Sequence, residues 1–289
     1  MKFRKIALGS AQFGLKYGIN NKKSILSNEE VSKILGTASS SGIDLIDTAH
    51  GYGDAELKIG NYQGKTFRII TKLPPVDDGY NQDWLNKSVQ ESLQKLKKEH
   101  LYGILLHRPS DLLSDFGQKL YDDLIILKEK GTIKKIGISI YETTELESLV
   151  PNYKFDIVQA PLNIFDRRLI TSGWLKKLKD LNIEVHVRSI FLQGLLLMDS
   201  ESRPAKFKRW DALFSEYDKW LKNNNIQALE ACIQFALSLK EVDQVIIGID
   251  SISNLREILS FGEHMNLMFP ENLSSDDTDL LNPLAWLNI

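Results

Sequence analysis

The chain alternates between short apolar runs and longer amphipathic stretches. Eight of the runs have the length and composition of buried β-strands. In chain order they are KIALGS, IDLIDTA, FRIITK, YGILLH, IKKIGIS, FDIVQA, IEVHVRS and VDQVIIG. Runs of this apolar character are typical of parallel strands, which are buried on both faces of the sheet.

Stretches typical of helices separate these runs, among them NEEVSKILGTASSSG, QDWLNKSVQESLQKLKKE and DFGQKLYDDLIILKEKG. Several end just before the next strand at Gly42, Gly131 or Asn182, and Gly and Asn favour a helix C-terminal cap. Eight strand–helix units in succession predict an α/β fold, a (β/α)8 TIM barrel. The 289 residues suit one such barrel, so we predict a single domain over residues 1–289.

Two segments interrupt the alternation. Residues 190–225 follow the seventh predicted strand and contain FLQGLLLM, a polar ESRPAKFKR stretch and a helix-like WDALFSEYDKWLKN. Residues 262–289 form a tail with a polar ENLSSDDTD stretch. Long insertions at the C-terminal face of a barrel usually shape a substrate site, so we expect extended loops at that face.

Composition narrows the class of protein. A hydrophobic content of 43% is enough for a large core, and a net charge of −2 gives no basic footprint for nucleic acid. The apolar runs fall far short of the roughly 18 residues of a membrane span, and the N-terminus does not have the pattern of a signal peptide. Cys232 is the only cysteine, which excludes a disulfide within the chain and favours a buried thiol. We expect a cytoplasmic protein with no membrane or nucleic-acid partner.

Side chains suited to proton chemistry follow three of the predicted strands. Asp47 lies in LIDTA, Lys72 ends FRIITK and His107 ends YGILLH, while Tyr52 follows Asp47 by five residues in DTAHGYG. Because the carboxyl ends of barrel strands share one face, these four side chains are expected to meet. Together they can donate a proton to a carbonyl oxygen that gains negative charge as hydride reaches its carbon. A free phenol has a pKa of about 10, so we expect the Lys72 ammonium to lower the pKa of Tyr52. Asp47 would hold Lys72, and His107 would orient the carbonyl oxygen or help to relay the proton.

The chain resembles the aldo-keto reductases from LGSAQFG near its start to VIIGIDSISNLREIL near its end. DTAHGYGDAE is similar to the family's strand-2 signature, and Lys72 and His107 fall where the family tetrad requires them. GISIY, VQAPLN and VRSIFLQGLL resemble its cofactor-contact strand ends. The resemblance implies NAD(P)H-dependent reduction of an aldehyde or ketone to an alcohol, with the hydride from the nicotinamide and the proton from Tyr52. No residue spacing predicts a metal site.

The resemblance also implies where the cofactor binds. Ser139 and Gln159 would hold the nicotinamide carboxamide, and the loop after the seventh strand would cross the pyrophosphate. Arg188 takes the place of an aromatic residue that stacks on the nicotinamide; its guanidinium can stack there instead or face a substrate anion. The implied cofactor-binding residues are Ser139, Gln159, Arg188, Ser189, Leu192, Gln193, Gly194, Leu195, Gly248, Asp250, Ser251, Asn254 and Arg256.

The adenosine end departs from the family pattern. Relatives that prefer the phosphorylated cofactor have a cation near position 250, where this chain has Asp250, and often Arg or Gln where it has Asn254. Asp250 would repel a 2′-phosphate and accept a hydrogen bond from a ribose 2′-hydroxyl. Only Arg256 is left to supply positive charge. NADPH, the family default, therefore keeps only a slight advantage, with NADH or dual use as the alternatives.

The substrate is less defined by the sequence. Gln12, Phe13, His50 and Phe165, together with Arg188, are the candidate residues at the mouth of the barrel. Their mixture of polar and aromatic groups favours a small polar carbonyl compound, such as a sugar derivative, over a steroid.

Simpler roles exist for each catalytic candidate taken alone. Asp47 can cap a helix, Tyr52 can pack, Lys72 can be a solvated turn residue and His107 a structural histidine. Their coincidence with the family pattern favours catalysis. Three other classes of function stay open: a cofactor-binding regulatory subunit with slow reductase activity, a barrel lyase with a Schiff base on Lys72, and a scaffold without chemistry.

Overall fold

A computed structural model describes residues 3–19, 24–77, 79–261 and 267–287. Within these residues eight parallel strands form a closed barrel, in which each strand pairs with the next along the chain and the last pairs with the first. The predicted (β/α)8 barrel is therefore confirmed. The strands are β1 (Ile6–Gly9), β2 (Leu45–Asp47), β3 (Arg68–Leu73), β4 (Gly103–Leu106), β5 (Ile136–Ser139), β6 (Ile157–Pro161), β7 (Glu184–Arg188) and β8 (Gln244–Gly248).

The apolar character of the strands reflects two cores. The barrel interior is filled by a compact cluster of side chains from six of the eight strands, namely Ala7, Leu45, Ile70, Leu105, Ile157 and Ile246. A much larger core lies between the barrel and the surrounding helices. Because most strands contribute to both cores, they need apolar residues on both faces, which is why the runs in the sequence are nearly continuous.

Helices alternate with the strands and cover the outside of the barrel. They are α1 (Ala11–Gly14), α2 (Asn28–Ser40), α3 (Ala55–Gly60), α4 (Gln82–Leu96), α5 (Gly117–Glu129), α6 (Thr144–Leu149), α7 (Arg168–Thr171), α8 (Trp174–Asp180), α9 (Asp211–Asn223), α10 (Ala228–Ser238), α11 (Ile252–Ser260) and α12 (Thr278–Leu281). Ser27 and Glu30 form a capping box that starts α2. Gly42, Gly131 and Asn182 have φ values of 87°, 76° and 57°, as predicted for residues that end helices.

The insertion after β7 packs against the C-terminal tail. It contains three short 3-10 segments, Leu192–Leu197, Ser200–Ser202 and Ala205–Trp210, followed by α9. Trp286 of the tail contacts Phe207 of the insertion edge to face, with ring centres 4.9 Å apart. Part of the tail, residues 262–266 and 288–289, lies outside the described residues. Cys232 is completely buried in α10, as predicted.

Candidate active site

A cavity of about 190 Å³ opens at the carboxyl ends of the strands. One part is formed by the ends of β1 and β2 and the turns that follow them, and the other by the ends of β7 and β8 with their loops. Active sites of such barrels lie at this face. Of the predicted site residues, those that line the cavity are Gln12, Asp47, Tyr52, Arg188, Ser189, Gln193, Gly194, Gly248, Asp250 and Asn254.

A chain of hydrogen bonds fixes the buried ion pair at the bottom of the site. Lys72 Nζ donates to Asp47 Oδ2 over 2.6 Å and to the backbone oxygen of Thr48 over 3.0 Å. Gln159 Nε2 donates to Asp47 Oδ1 over 2.7 Å, and Ser139 Oγ donates to Gln159 Oε1 over 3.1 Å. Lys72 is 1% exposed and Asp47 is 4% exposed, so the pair has little contact with water. Both carboxylate oxygens of Asp47 are thus held in place by protein groups.

Tyr52 and His107 complete the cluster from two different loops. Tyr52 lies in the turn between β2 and α3, and His107 directly follows β4. Their rings are nearly perpendicular, with centres 6.0 Å apart. Lys72 Nζ lies 5.2 Å from the centre of the Tyr52 ring. The structure therefore brings all four predicted catalytic residues together.

The protonation states differ in one respect from the expectation. The pKa of Tyr52 is raised, first by burial and then by the Asp47 carboxylate, while Arg188 opposes the rise. The expectation of a lowered pKa is wrong for the net value, because burial and the Asp47 carboxylate both disfavour the phenolate and together outweigh the nearby positive charge. Burial also lowers the pKa of Lys72, although Asp47 raises it.

His107 is neutral at pH 7 because its pKa is lowered to about 4. Burial is the largest cause, and the positive charges of Lys72 and Arg188 act in the same direction. A neutral imidazole can donate a hydrogen bond through one ring nitrogen and accept one through the other. Tyr52 and His107 therefore offer two uncharged hydrogen-bonding groups beside the buried ion pair.

Arg188 ends β7 and lines the cavity next to these residues. Its Nη2 donates to the backbone oxygen of Ile140 over 2.8 Å, and its Nη1 donates to Ser189 Oγ over 3.2 Å. The guanidinium carbon lies 4.4 Å from the centre of the Tyr141 ring. These contacts fix the guanidinium in one orientation at the cavity wall.

The loop after β7 presents backbone to the cavity. Ser189, Leu192, Gln193 and Gly194 all have positive φ values, of 58°, 46°, 53° and 93°. Such values are uncommon for residues other than glycine and mark a conformation that the surrounding structure imposes. Ser189, Gln193 and Gly194 line the cavity, whereas the side chains of Leu192 and Leu195 are buried beneath it.

The end of β8 and the start of α11 line the cavity next to this loop. Ser251 caps α11 by accepting a hydrogen bond from Asn254 N, and its Oγ donates to Asp250 Oδ1 over 2.9 Å. A Cβ atom at Gly248 would lie 2.6 Å from Gln12 Nε2, so a larger residue would force Gln12 to move. Arg256 is exposed on α11 and does not line the cavity.

Several predicted site residues lie elsewhere. Phe13 and Phe165 are completely buried rather than at the mouth, because both pack into the hydrophobic core; Phe165 contacts Phe214 and Tyr217 of α9. His50 is only partly buried, and its Nε2 lies 3.6 Å from a carboxylate oxygen of Glu91.

Ser139 and Gln159 do not line the cavity either. Adjacent strands β5 and β6 place them side by side, and they bond to each other and to Asp47. In this structure they hold Asp47 in place, and their binding of a carboxamide stays a prediction.

Nine lining residues were not among the predicted ones, namely Gly9, Ser10, Ala11, Tyr17, Gly18, Ile190, Phe191, Leu197 and Ile246. Ser10 directly follows β1, so the rule that strand ends carry site residues would have found it. Tyr17 comes from the loop after α1, and no pattern in the sequence indicates its position.

The cavity fits a polar ligand such as a nicotinamide dinucleotide. Ser10 Oγ and Gln12 Oε1 are buried at its wall without a hydrogen-bond partner, which is unfavourable unless a ligand or water binds them. The wall also has the exposed loop backbone at residues 189–194 and the start of α11, where N–H groups favour anions. In the part of the chain that the structure describes, no cluster of His, Cys, Asp or Glu side chains is arranged to hold a metal.

Comparison with known proteins identifies the family. Residues 5–269 match the model of the aldo/keto reductase family, so the chain belongs to this family of NAD(P)H-dependent oxidoreductases. The chain is 25% identical to an uncharacterized oxidoreductase, YqkF, of Bacillus subtilis, over 78% of this chain and 79% of that protein. It is 24% identical to D-arabinose 1-dehydrogenase of Saccharomyces cerevisiae, over 77% of this chain and 73% of the relative.

Solved structures show the same fold. The holo form of the aldo-keto reductase AKR11C1 from Bacillus halodurans superimposes with a TM-score of 0.72 at 18% identity, covering 90% of this chain and 88% of that one. Glycerol dehydrogenase AKR11B4 from Gluconobacter oxydans gives a TM-score of 0.71 at 20% identity, with coverage of 90% and 87%. None of the helices in the described part of the chain has the length and apolar character that a transmembrane segment requires.

Proposed function

We propose that the protein reduces a small polar aldehyde or ketone to an alcohol, with Tyr52 as the proton donor. The observation that carries this proposal is the cluster of Tyr52, His107 and the buried Asp47–Lys72 pair, of which Tyr52 and Asp47 line the cavity. Tyr52 is protonated at neutral pH, since its pKa lies above the ordinary value of about 10, so it has a proton to donate.

Each residue then has a distinct role. The nicotinamide, when bound, supplies the hydride. Negative charge develops on the carbonyl oxygen, and the hydroxyl group of Tyr52 donates a hydrogen bond and then the proton to that oxygen. Neutral His107 orients the same oxygen by a second hydrogen bond. Lys72 provides positive charge that favours the resulting phenolate, and Asp47 keeps Lys72 protonated and in place.

We propose that Arg188, Ser189, Gln193, Gly194, Gly248, Asp250 and Asn254 hold the cofactor, since all of them line the cavity. Asp250 supports use of NADH, because its carboxylate would repel a 2′-phosphate and can accept a hydrogen bond from a ribose hydroxyl. Arg256 is directed away from the cavity and offers little compensation. We therefore propose that NADH serves at least as well as NADPH.

For the substrate, we propose a polyhydroxylated carbonyl compound of sugar size. The polar cavity residues Gln12, Tyr17 and Ser10 suit hydroxyl groups. Two of the similar proteins are named for polyhydroxylated compounds, a D-arabinose 1-dehydrogenase and a glycerol dehydrogenase.

A fluorescence titration followed by a substrate panel tests this function. Purified protein is expected to shift the emission of NADH or NADPH on binding, and short aldoses and hydroxyaldehydes are then expected to oxidise the bound cofactor. Cofactor binding without turnover on any carbonyl would favour a regulatory subunit instead. Trapping of a substrate on Lys72 by borohydride would favour a lyase, although the ion pair with Asp47 makes Lys72 a poor nucleophile.

A further inference from the structure

Arg188 brings a positive charge to the reaction centre that no carboxylate of the described residues neutralises. Its contacts are the Ile140 backbone oxygen, Ser189 Oγ and the face of Tyr141. The nearby acids are otherwise engaged: Asp47 pairs with Lys72, and Glu142 pairs with Arg168. A half-buried cation without an anionic partner is unusual unless a ligand completes its environment.

The charge of Arg188 reaches the groups that carry out the reaction. It lowers the pKa of Tyr52, of Lys72 and of His107. Asp250, the other acidic side chain at the cavity wall, is not among the charges that shift these groups. Since Tyr52 and His107 are neutral at pH 7 and Asp47 cancels Lys72, the centre has a net positive charge.

The orientation of the guanidinium indicates what it binds. Two of its N–H groups donate within the protein, to Ile140 and Ser189, and Tyr141 covers one face. Tyr141 does not line the cavity whereas Arg188 does, so the tyrosine supports the guanidinium from behind. Both Nη atoms already donate once, so bidentate binding of a carboxylate or phosphate would have to use the remaining N–H groups, whereas a flat ring requires only the open face. Stacking on a planar ring is therefore favoured over pairing with a substrate anion.

We propose that Arg188 stacks on the nicotinamide ring and, through its charge, makes the site bind the reduced cofactor more tightly than the oxidised cofactor. This inference rests on the proposed function, which requires the nicotinamide next to Tyr52. The oxidised ring is a cation and the reduced ring is neutral, so only the oxidised form is repelled by the guanidinium. The bound cofactor is then a weaker hydride donor than the free cofactor, by about 30 mV for each tenfold preference in a two-electron couple.

Isothermal titration of four proteins with NADH, NAD⁺, NADPH and NADP⁺ tests the inference. Arg188→Gln keeps a planar donor without the charge, Arg188→Lys keeps the charge without the plane, and Arg188→Tyr replaces the cation by an aromatic ring. Wild type is expected to bind the reduced form roughly tenfold or more tightly than the oxidised form. Arg188→Gln and Arg188→Tyr are expected to abolish that preference, while Arg188→Lys retains most of it. Circular dichroism and thermal unfolding confirm that each variant is folded.

Three outcomes would overturn the inference. An unchanged ratio of dissociation constants in Arg188→Gln, or an equal loss of affinity for both forms, would mean that the charge does not discriminate between them. A second such outcome is that Arg188→Gln leaves the dissociation constants of the cofactors unchanged but raises KM for glyoxylate, which has a carboxylate, and not for glycolaldehyde, which has none. That result would assign Arg188 to a substrate carboxylate. If wild type bound none of the four nucleotides, the proposed function would itself fail, and this result is distinct from binding without preference.

Discussion

Tyr52 keeps its proton at neutral pH in the described structure, since burial and Asp47 both raise its pKa. The proposed mechanism therefore needs the phenol only as a donor in the chemical step. Tyr52→Phe is expected to lower kcat by roughly 10²-fold or more, because general acid catalysis typically contributes that much. The dissociation constant for NADH should stay within a few-fold, which fluorescence titration measures. A variant that retained full turnover would rule out Tyr52 as the donor.

Lys72 is expected to contribute to both catalysis and stability, and a single and a double variant separate the two contributions. Lys72→Met should lower kcat as strongly as Tyr52→Phe, and it should reduce the free energy of unfolding by about 3–5 kcal/mol, since it leaves the buried Asp47 carboxylate unpaired. The double variant Asp47→Asn, Lys72→Met removes both charges. We expect it to regain most of the stability in urea unfolding while remaining inactive. Recovery of activity in the double variant would contradict a catalytic role for the pair.

At the scale of the elements, the strands could be predicted because their apolar runs follow from burial on both faces. The catalytic residues followed from this, since Asp47, Lys72 and His107 lie at or next to strand ends. Loop positions could not be predicted in the same way. Phe165 lies shortly after β6, where a residue at the mouth is expected, yet it packs against α9 in the core. Its position depends on how the insertion that contains α9 packs, and the sequence does not indicate this.

The bonds between side chains were also beyond the sequence. Ser139 and Gln159 were correctly placed at neighbouring strands, but their mutual hydrogen bond depends on the register of β5 and β6. That bond and the one from Gln159 to Asp47 link both residues to the buried ion pair. Strand patterns thus locate residues at the site, whereas register decides which side chains contact one another.

The junction of β8 with α11 is the element that would select the cofactor. Replacing Asp250 with Arg should shift the ratio of NADPH to NADH affinity toward NADPH by roughly tenfold or more, since repulsion is replaced by a charge-assisted pair with the 2′-phosphate. Asp250→Asn is the matched control and should give a smaller shift in the same direction, because an exposed charge pair contributes only up to about 1 kcal/mol. The dissociation constants of NADH and NADPH, measured for wild type and both variants at one salt concentration, test this prediction. An unchanged ratio in both variants would mean that Asp250 does not reach the ribose.

At the scale of the whole molecule, closure of the barrel assembles the site from distant parts of the chain. Gln159 and Asp47 bond across 112 positions in the sequence, and His107 contacts Tyr52 across two strands. These environments exist only in the folded state. Any group whose pKa differs between the folded and unfolded chains therefore makes global stability depend on pH.

His107 gives the clearest such dependence. Its pKa falls from the ordinary 6.5 to about 4 in the folded protein, so between these values the unfolded chain binds a proton that the folded chain does not. Lowering the pH through this window should therefore favour unfolding, by on the order of 2–3 kcal/mol in total, whereas above the unfolded pKa the effect is absent. Urea unfolding of wild type from pH 4 to pH 7.5 measures the slope.

His107→Gln separates this contribution from all others, because glutamine keeps hydrogen-bonding groups but does not titrate. Its stability at pH 7 can differ from that of wild type for reasons of packing, so the slope between pH 6.5 and 4 is the quantity to compare, and it should be shallower in the variant. Glu184, whose pKa is lowered from 4.5 to about 2, also destabilises the folded protein as pH falls below about 5, but it is present in both proteins and its contribution cancels in the comparison. Equal slopes would mean that His107 is accessible to protons in the folded state. The imidazole beside Tyr52 would then be protonated, and no longer neutral, at mildly acidic pH.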